Sequence, residues 1–123
     1  MSKRSILVVD DDPDSRAMVR TILESDGFAV EEASGGKEAL ERMETYSPAL
    51  VLLDIMMPEM NGYDVLVHMK QKAETQNIPV IMVTAKGDPE DLITGYKDYG
   101  VEYYITKPFT TRQLLAGVKL VLG

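Results

Sequence analysis

The sequence predicts an α/β domain, a parallel sheet covered by helices on both faces. Two observations carry that prediction. Short, almost unbroken apolar runs alternate with amphipathic segments of helical period along the whole chain, and most of the runs end on a charged or hydroxyl side chain. Strands buried on both faces lose the usual in-and-out alternation, and parallel neighbours require right-handed crossover helices. The 123 residues, 45% of them hydrophobic, suffice for one continuous core and not for two, so residues 1–123 are read as a single domain.

The first run, Ile6 to Val9, closes on Asp10-Asp11-Asp12. Asp12-Pro13 then opens a helix, with a capping acid followed by proline at the first helical position. Met18, Val19, Ile22 and Leu23 recur at helical spacing, and Gly27 suits a left-handed cap. Phe28 to Ala33 reads as the second strand, Ser34-Gly35-Gly36 as a turn, and Ala39, Leu40 and Met43 mark the second helix. Ala49 to Leu53 is the third strand, ending at Asp54, and the helix after it carries Val65, Leu66, Met69 and Ala73. Ile78 to Val83 forms the fourth, ending at Thr84. Asp88-Pro89 repeats the cap chemistry for a fourth helix carrying Leu92, Ile93 and Tyr96, stopped by Gly100. Val101 to Thr106 is the fifth strand, and Leu114, Leu115, Val118 and Leu122 mark the last helix.

Composition excludes several function classes. Thirteen basic against 20 acidic residues give a formal charge of -7, which repels nucleic acid rather than supplying a basic footprint. No run approaches the roughly 20 apolar residues of a membrane helix, so the reading is cytoplasmic, with no membrane contact. Without cysteine there are no thiol nucleophiles, disulfides or cysteine-zinc sites, and the single histidine, His68, is a surface residue by its neighbours. Any metal must be held by oxygen.

In sheets of this kind ligands bind beyond the carboxyl ends of the strands, where the winding reverses. Those ends supply Asp10 and Asp11 from the first strand, Asp54 from the third, Thr84 from the fourth and Lys107 from the fifth; the second contributes nothing comparable. Three carboxylates on one edge repel unless a cation neutralises them. Mg²⁺ suits Asp10, Asp11 and Asp54, with Mn²⁺ as an alternative, because it takes hard oxygen ligands and is commonly held by one or two carboxylates plus phosphate. Lys107 and Thr84 add a point charge and a hydroxyl, a setting for a phosphoryl group beside a metal. Asp12 is assigned to helix capping instead.

Ile6-Leu7-Val8-Val9-Asp10-Asp11-Asp12, Leu52-Leu53-Asp54-Ile55-Met56-Met57-Pro58-Glu59-Met60-Asn61-Gly62, Val83-Thr84-Ala85 and Tyr104-Ile105-Thr106-Lys107-Pro108-Phe109 resemble, in order and spacing, the four signatures of response-regulator receiver domains of two-component signalling. The resemblance implies a doubly wound five-stranded parallel sheet of order 2-1-3-4-5 with five helices, as in chemotaxis receivers. It implies that Asp54 accepts a phosphoryl group from a sensor histidine kinase or phosphotransfer protein. Asp11, Asp54 and the backbone carbonyl of Met56 would bind Mg²⁺ directly, and Asp10 mainly through water. Lys107 would pair with Asp54 and then with the phosphoryl group. Thr84 and Tyr104 would act as switch residues, remodelling the face of the fourth helix, fifth strand and fifth helix toward an effector not identified by the sequence. The Lys107-Pro108 bond would be cis. Met56 and Lys86 would flank the phosphoryl group and slow its hydrolysis by hindering the attacking water.

Two rival functions are separable. Aspartate-nucleophile phosphatases of the haloacid-dehalogenase type resemble Asp-x-Asp, whereas position 56 is methionine. A phosphate-independent interaction module would not need the intact acid, threonine and lysine set. Leu114-Leu115-Ala116-Gly117-Val118 is similar to the last helix of receivers attached to winged-helix DNA-binding domains. There, Gly117 replaces a common arginine and Tyr103 an aspartate, which leaves both a monomer and a phosphorylation-dependent dimer open.

Overall fold

A computed structural model describes residues 3–84 and 100–123. The helix predicted after Asp88-Pro89, with Leu92, Ile93, Tyr96 and the neighbouring Lys86, lies outside the described residues. Five parallel strands, β1 (Ser5–Val9), β2 (Ala29–Ala33), β3 (Leu50–Asp54), β4 (Val80–Thr84) and β5 (Tyr103–Thr106), lie in the order β2-β1-β3-β4-β5. The described helices are α1 (Pro13–Ser25), α2 (Gly36–Arg42), α3 (Gly62–Lys70) and α4 (Thr111–Leu122). The parallel sheet covered on both faces that the alternating apolar runs predict is therefore present, in the strand order the resemblance implies.

Each face of the sheet has its own core. Leu7, Val9, Val51, Leu53, Val80 and Met82 point to the face covered by α2 and α3, where Val65, Leu66 and Met69 meet them. Ile6, Val8, Leu50, Leu52 and Ile81 point the other way, against Val19 and Leu23 of α1 and Leu114 and Val118 of α4. All five residues of β3 are buried, as a central parallel strand requires.

Local chemistry sets the ends of the elements. The Asp12 carboxylate accepts the Asp14 N–H at 3.0 Å with Pro13 leading α1, which is the capping role read from the sequence. At the other end Gly27 takes φ 94°, its N–H reaches the Glu24 carbonyl, and the Phe28 N–H reaches the Leu23 carbonyl. This is a Schellman closure, and Phe28 packs against the apolar cluster that holds Leu23.

Four expectations are corrected. β5 starts at Tyr103 rather than Val101, although Val101 is buried and the Glu102 N–H still bonds the Val80 carbonyl. β4 starts at Val80, because Pro79 has no N–H to give the ladder. Ala73 is exposed and beyond α3, which ends at Lys70 where the Thr75 hydroxyl caps the Met69 carbonyl at 2.7 Å. Met18 is 48% exposed instead of inward.

Gly117 and Tyr103 form one packing unit. A Cβ on Gly117 would lie 3.0 Å from the Tyr103 ring and 3.1 Å from Ile105, so the glycine gives β5 the room for its tyrosine. The two departures from the winged-helix receiver pattern thus compensate each other sterically.

Candidate functional site

The sheet order puts β1 and β3 side by side, with β4 and β5 following, so the ends of four adjacent strands supply the polar residues. Asp54 ends β3 opposite Val83, and Thr84 ends β4 opposite Thr106. The Lys107 N–H then bonds the Thr84 carbonyl at 2.6 Å, and the Lys107–Pro108 peptide is cis. Asp10, Asp54 and Thr84 are all buried, whereas Asp11 is exposed.

The Lys107 ammonium bridges the two buried acids, at 2.9 Å from Asp10 Oδ2 and 3.4 Å from Asp54 Oδ2. The shorter contact is with Asp10, so in this state the lysine belongs to both carboxylates. The second oxygen of each acid is held by backbone two residues on: the Asp12 N–H donates to Asp10 Oδ1 at 2.9 Å, and the Met56 N–H to Asp54 Oδ1 at 3.1 Å.

Burial penalises the Asp10 charge, but the Asp12 N–H and the Lys107 ammonium outweigh it and hold that carboxyl below its ordinary value. Asp54 goes the other way: burial lifts it, Lys107 only partly offsets this, and the Asp10 charge adds to the rise. For Lys107 burial opposes the charge, yet the two carboxylates raise its pKa. A fixed anionic partner thus sits beside a carboxylate whose own charge is uncomfortable, an arrangement that welcomes additional positive charge at Asp54.

Oxygens of Asp10, Asp11 and Asp54 all lie within 4.8 Å of one another. Three convergent hard donors fit a divalent cation of the Mg²⁺ type. Among the other expected site residues, the Met56 side chain is 71% exposed at the mouth of the site. The half-buried Tyr104 places its hydroxyl 3.2 Å from that of Tyr63 at the start of α3. Lys86 lies outside the described residues.

The loop from Ile55 to Asn61 folds back on the acid it follows. The Gly62 N–H bonds the Ile55 carbonyl at 3.0 Å, and a Cβ on Gly62 would meet the Asp54 carbonyl oxygen at 2.8 Å. Only glycine lets the α3 terminus come so close. Asn61 and Asp64 form a reciprocal capping box there, and Glu59 has φ 68°, a left-handed conformation that costs a side-chain-bearing residue roughly 1–2 kcal/mol.

Comparison with known proteins agrees with this geometry. Residues 6–119 match the family model of the response regulator receiver domain. The chain belongs to the response regulator receiver family. It is 40% identical over 119 residues to the phosphate regulon transcriptional regulatory protein PhoB of Escherichia coli, covering 97% of this chain and 52% of that protein. To the transcriptional regulatory protein CpxR homolog of Haemophilus influenzae it is 42% identical over 123 residues, covering 99% and 51%. The chain therefore spans about half the length of these relatives. The chemotaxis protein CheY4 of Vibrio cholerae superposes with a TM-score of 0.93 at 30% identity, covering 98% of this chain and 100% of that one. The family places the receiver in two-component response regulation, a regulatory role rather than metabolic catalysis, and receivers of this family use Mg²⁺. Among the described residues no helix is long and apolar enough to cross a membrane.

The second strand, from which the sequence predicts nothing comparable, does support this edge. The Ala33 carbonyl accepts the Asp10 N–H at 3.2 Å, and Glu32 pairs with Arg16 and Arg20 of α1. These residues carry no motif. The one hint in the sequence was an Arg16 and Arg20 pair one helical turn apart opposite an acidic strand.

Proposed function

We propose that this receiver accepts a phosphoryl group on Asp54 from a phosphohistidine of a sensor histidine kinase or phosphotransfer protein and switches a surface that controls an effector. The observation that carries the reading is the Lys107 bridge between Asp10 and Asp54, with Asp11 completing the oxygen cluster. Residues 1–123 act as one receiver domain in the cytoplasm.

Asp11, Asp54 and the Met56 carbonyl would hold Mg²⁺ directly and Asp10 mainly through water, with Mn²⁺ able to substitute. When bound, the ion supplies positive charge that offsets both the carboxylates and the charge developing on phosphoryl oxygens. An oxygen of Asp54 attacks phosphorus, the phosphorus–nitrogen bond breaks, and its electron pair leaves with the imidazole. Lys107 takes a phosphoryl oxygen as its anionic partner and Thr84 donates its hydroxyl to another. Tyr104 then rotates into the space Thr84 vacates, remodelling the face made by the helix predicted after Asp88-Pro89, β5 and the last helix, Thr111–Leu122. The exposed thioether of Met56 and the cation of Lys86 flank the product and slow attack by water. The arrangement lacks the Asp-x-Asp of a turnover phosphatase.

Acetyl phosphate with Mg²⁺ tests this. The expected result is one acid-labile phosphoryl group per chain, located on Asp54 by mass spectrometry and lost in Asp54→Asn and on chelation. Multiple turnover of phosphomonoesters, or labelling of Asp54→Asn equal to wild type, would overturn it. Slower decay in wild type than in Met56→Asn and Lys86→Glu is expected, and equal rates would remove the lifetime role.

A further inference from the structure

We infer that Arg16 is a positioning residue for the acid cluster, fixing the Asp10–Asp11 peptide so that Asp11 faces the cation site; this rests on the receiver reading above. Arg16 projects from the first turn of α1 and is only 17% exposed. Its terminal nitrogen donates to the backbone carbonyl of Asp10 at 2.6 Å, and its Nε donates to Glu32 Oε1 at 3.0 Å. Glu32 is itself braced through its other oxygen by Arg20, which also donates to the Val30 carbonyl at 3.0 Å.

The chain from β2 to the metal ligands is therefore continuous. Asp10 is held at its N–H by Ala33, at its carbonyl by Arg16, and at its two carboxylate oxygens by Asp12 and Lys107. Its carbonyl belongs to the same peptide plane as the Asp11 N–H, so the guanidinium sets the orientation from which the exposed Asp11 carboxylate extends. Planar, two-point donation is what arginine supplies and lysine cannot: an ammonium reaching the Asp10 carbonyl gives up the Glu32 Oε1 contact and leaves Glu32 to Arg20 alone. Partners one step behind metal ligands orient them in this way.

Two effects of Arg16 on cation affinity have opposite signs. Its positive charge repels a divalent ion, so Coulomb interaction alone makes Arg16→Met bind more tightly and leaves Arg16→Lys unchanged. Orientation of Asp11 makes both variants weaker.

The test is Mn²⁺ titration of the full chain, followed by the electron paramagnetic resonance of free Mn²⁺ at fixed ionic strength and neutral pH. Alongside it, the ¹⁵N shift of the Asp11 amide is measured in metal-free protein. Arg16→Lys and Arg16→Met are expected to lose about tenfold or more in Mn²⁺ affinity, within the range of such orienting partners, and to shift the Asp11 amide before any metal is added. A purely structural Arg16 would lower the melting temperature and leave the affinity of the folded protein intact. Unchanged affinity in Arg16→Lys, or tighter binding in Arg16→Met, would overturn the inference while leaving the receiver reading standing. Failure of the wild type to bind Mn²⁺ would overturn both.

Discussion

Asp54 carries a charge that the fold holds at a cost. Burial and the neighbouring Asp10 raise its pKa against the pull of Lys107, so ionised Asp54 destabilises the metal-free protein relative to a neutral group of the same shape. Asp54→Asn is accordingly expected to melt a few degrees higher than wild type in chelator, since Lys107 keeps its 2.9 Å partner Asp10. A lower melting temperature in chelator would show that Lys107 depends chiefly on Asp54. Glu32 shows the opposite sign. Burial works against its charge, yet Arg20 and Arg16 hold its pKa below the ordinary glutamate value. Its contribution is then complete above the unfolded pKa of about 4.3 and fades as pH falls through the depressed folded value. The stability gap between wild type and Glu32→Gln should narrow on acidification below that point in denaturant melts; a constant gap would count against the pairing. Asp54 and Lys107 were legible in the sequence because each ends an apolar run. Arg16 and Glu32 were not, because their meeting depends on how α1 rotates over β2, and nothing in a local pattern fixes that angle.

At the scale of elements, the α3 terminus lies hard against the end of β3 beside the site. A Cβ on Gly62 would sit 2.8 Å from the Asp54 carbonyl oxygen and 3.0 Å from the Ile55 Cα. Both are backbone atoms of buried residues, one the last of β3 and the other just after it, so neither can rotate away. Gly62→Ala should therefore destabilise by about 1–3 kcal/mol despite alanine's better helix propensity, read as a lower denaturant midpoint at unchanged m-value. Stability equal to wild type would mean that α3 is free to slide along β3. The same contrast explains where sequence reading of elements succeeded. Capping chemistry is local, so Asp12-Pro13 and Gly27 announced the ends of α1. Ala73 fitted the helical period of α3, but the Thr75 hydroxyl on the Met69 carbonyl closes the helix earlier, and that competition is settled by a side chain six residues away. Met18 shares the helical spacing of Ile22 but is 48% exposed, whereas Val19 and Leu23 are the buried residues of α1.

For the whole molecule, the two cores pack both faces of the sheet while its carboxyl edge concentrates negative charge, in a chain that already carries a formal charge of -7. A cation that binds the folded edge and not the unfolded chain must stabilise the fold by mass action. At a Mg²⁺ concentration a hundredfold above its dissociation constant, that linkage amounts to about 2.7 kcal/mol, on the order of 10 °C in melting temperature for a domain of this size. General screening of the net charge also raises stability with salt. The comparison is therefore Mg²⁺ against Na⁺ at equal ionic strength, in wild type and in Asp11→Asn. Asp11 is the exposed member of the oxygen cluster, so its loss disturbs the buried packing least and isolates the cation's own contribution. A Mg²⁺-specific rise in wild type that is largely absent in Asp11→Asn is expected. An equal rise in both proteins would place the ion elsewhere on the acidic surface and detach the carboxylate cluster from metal binding.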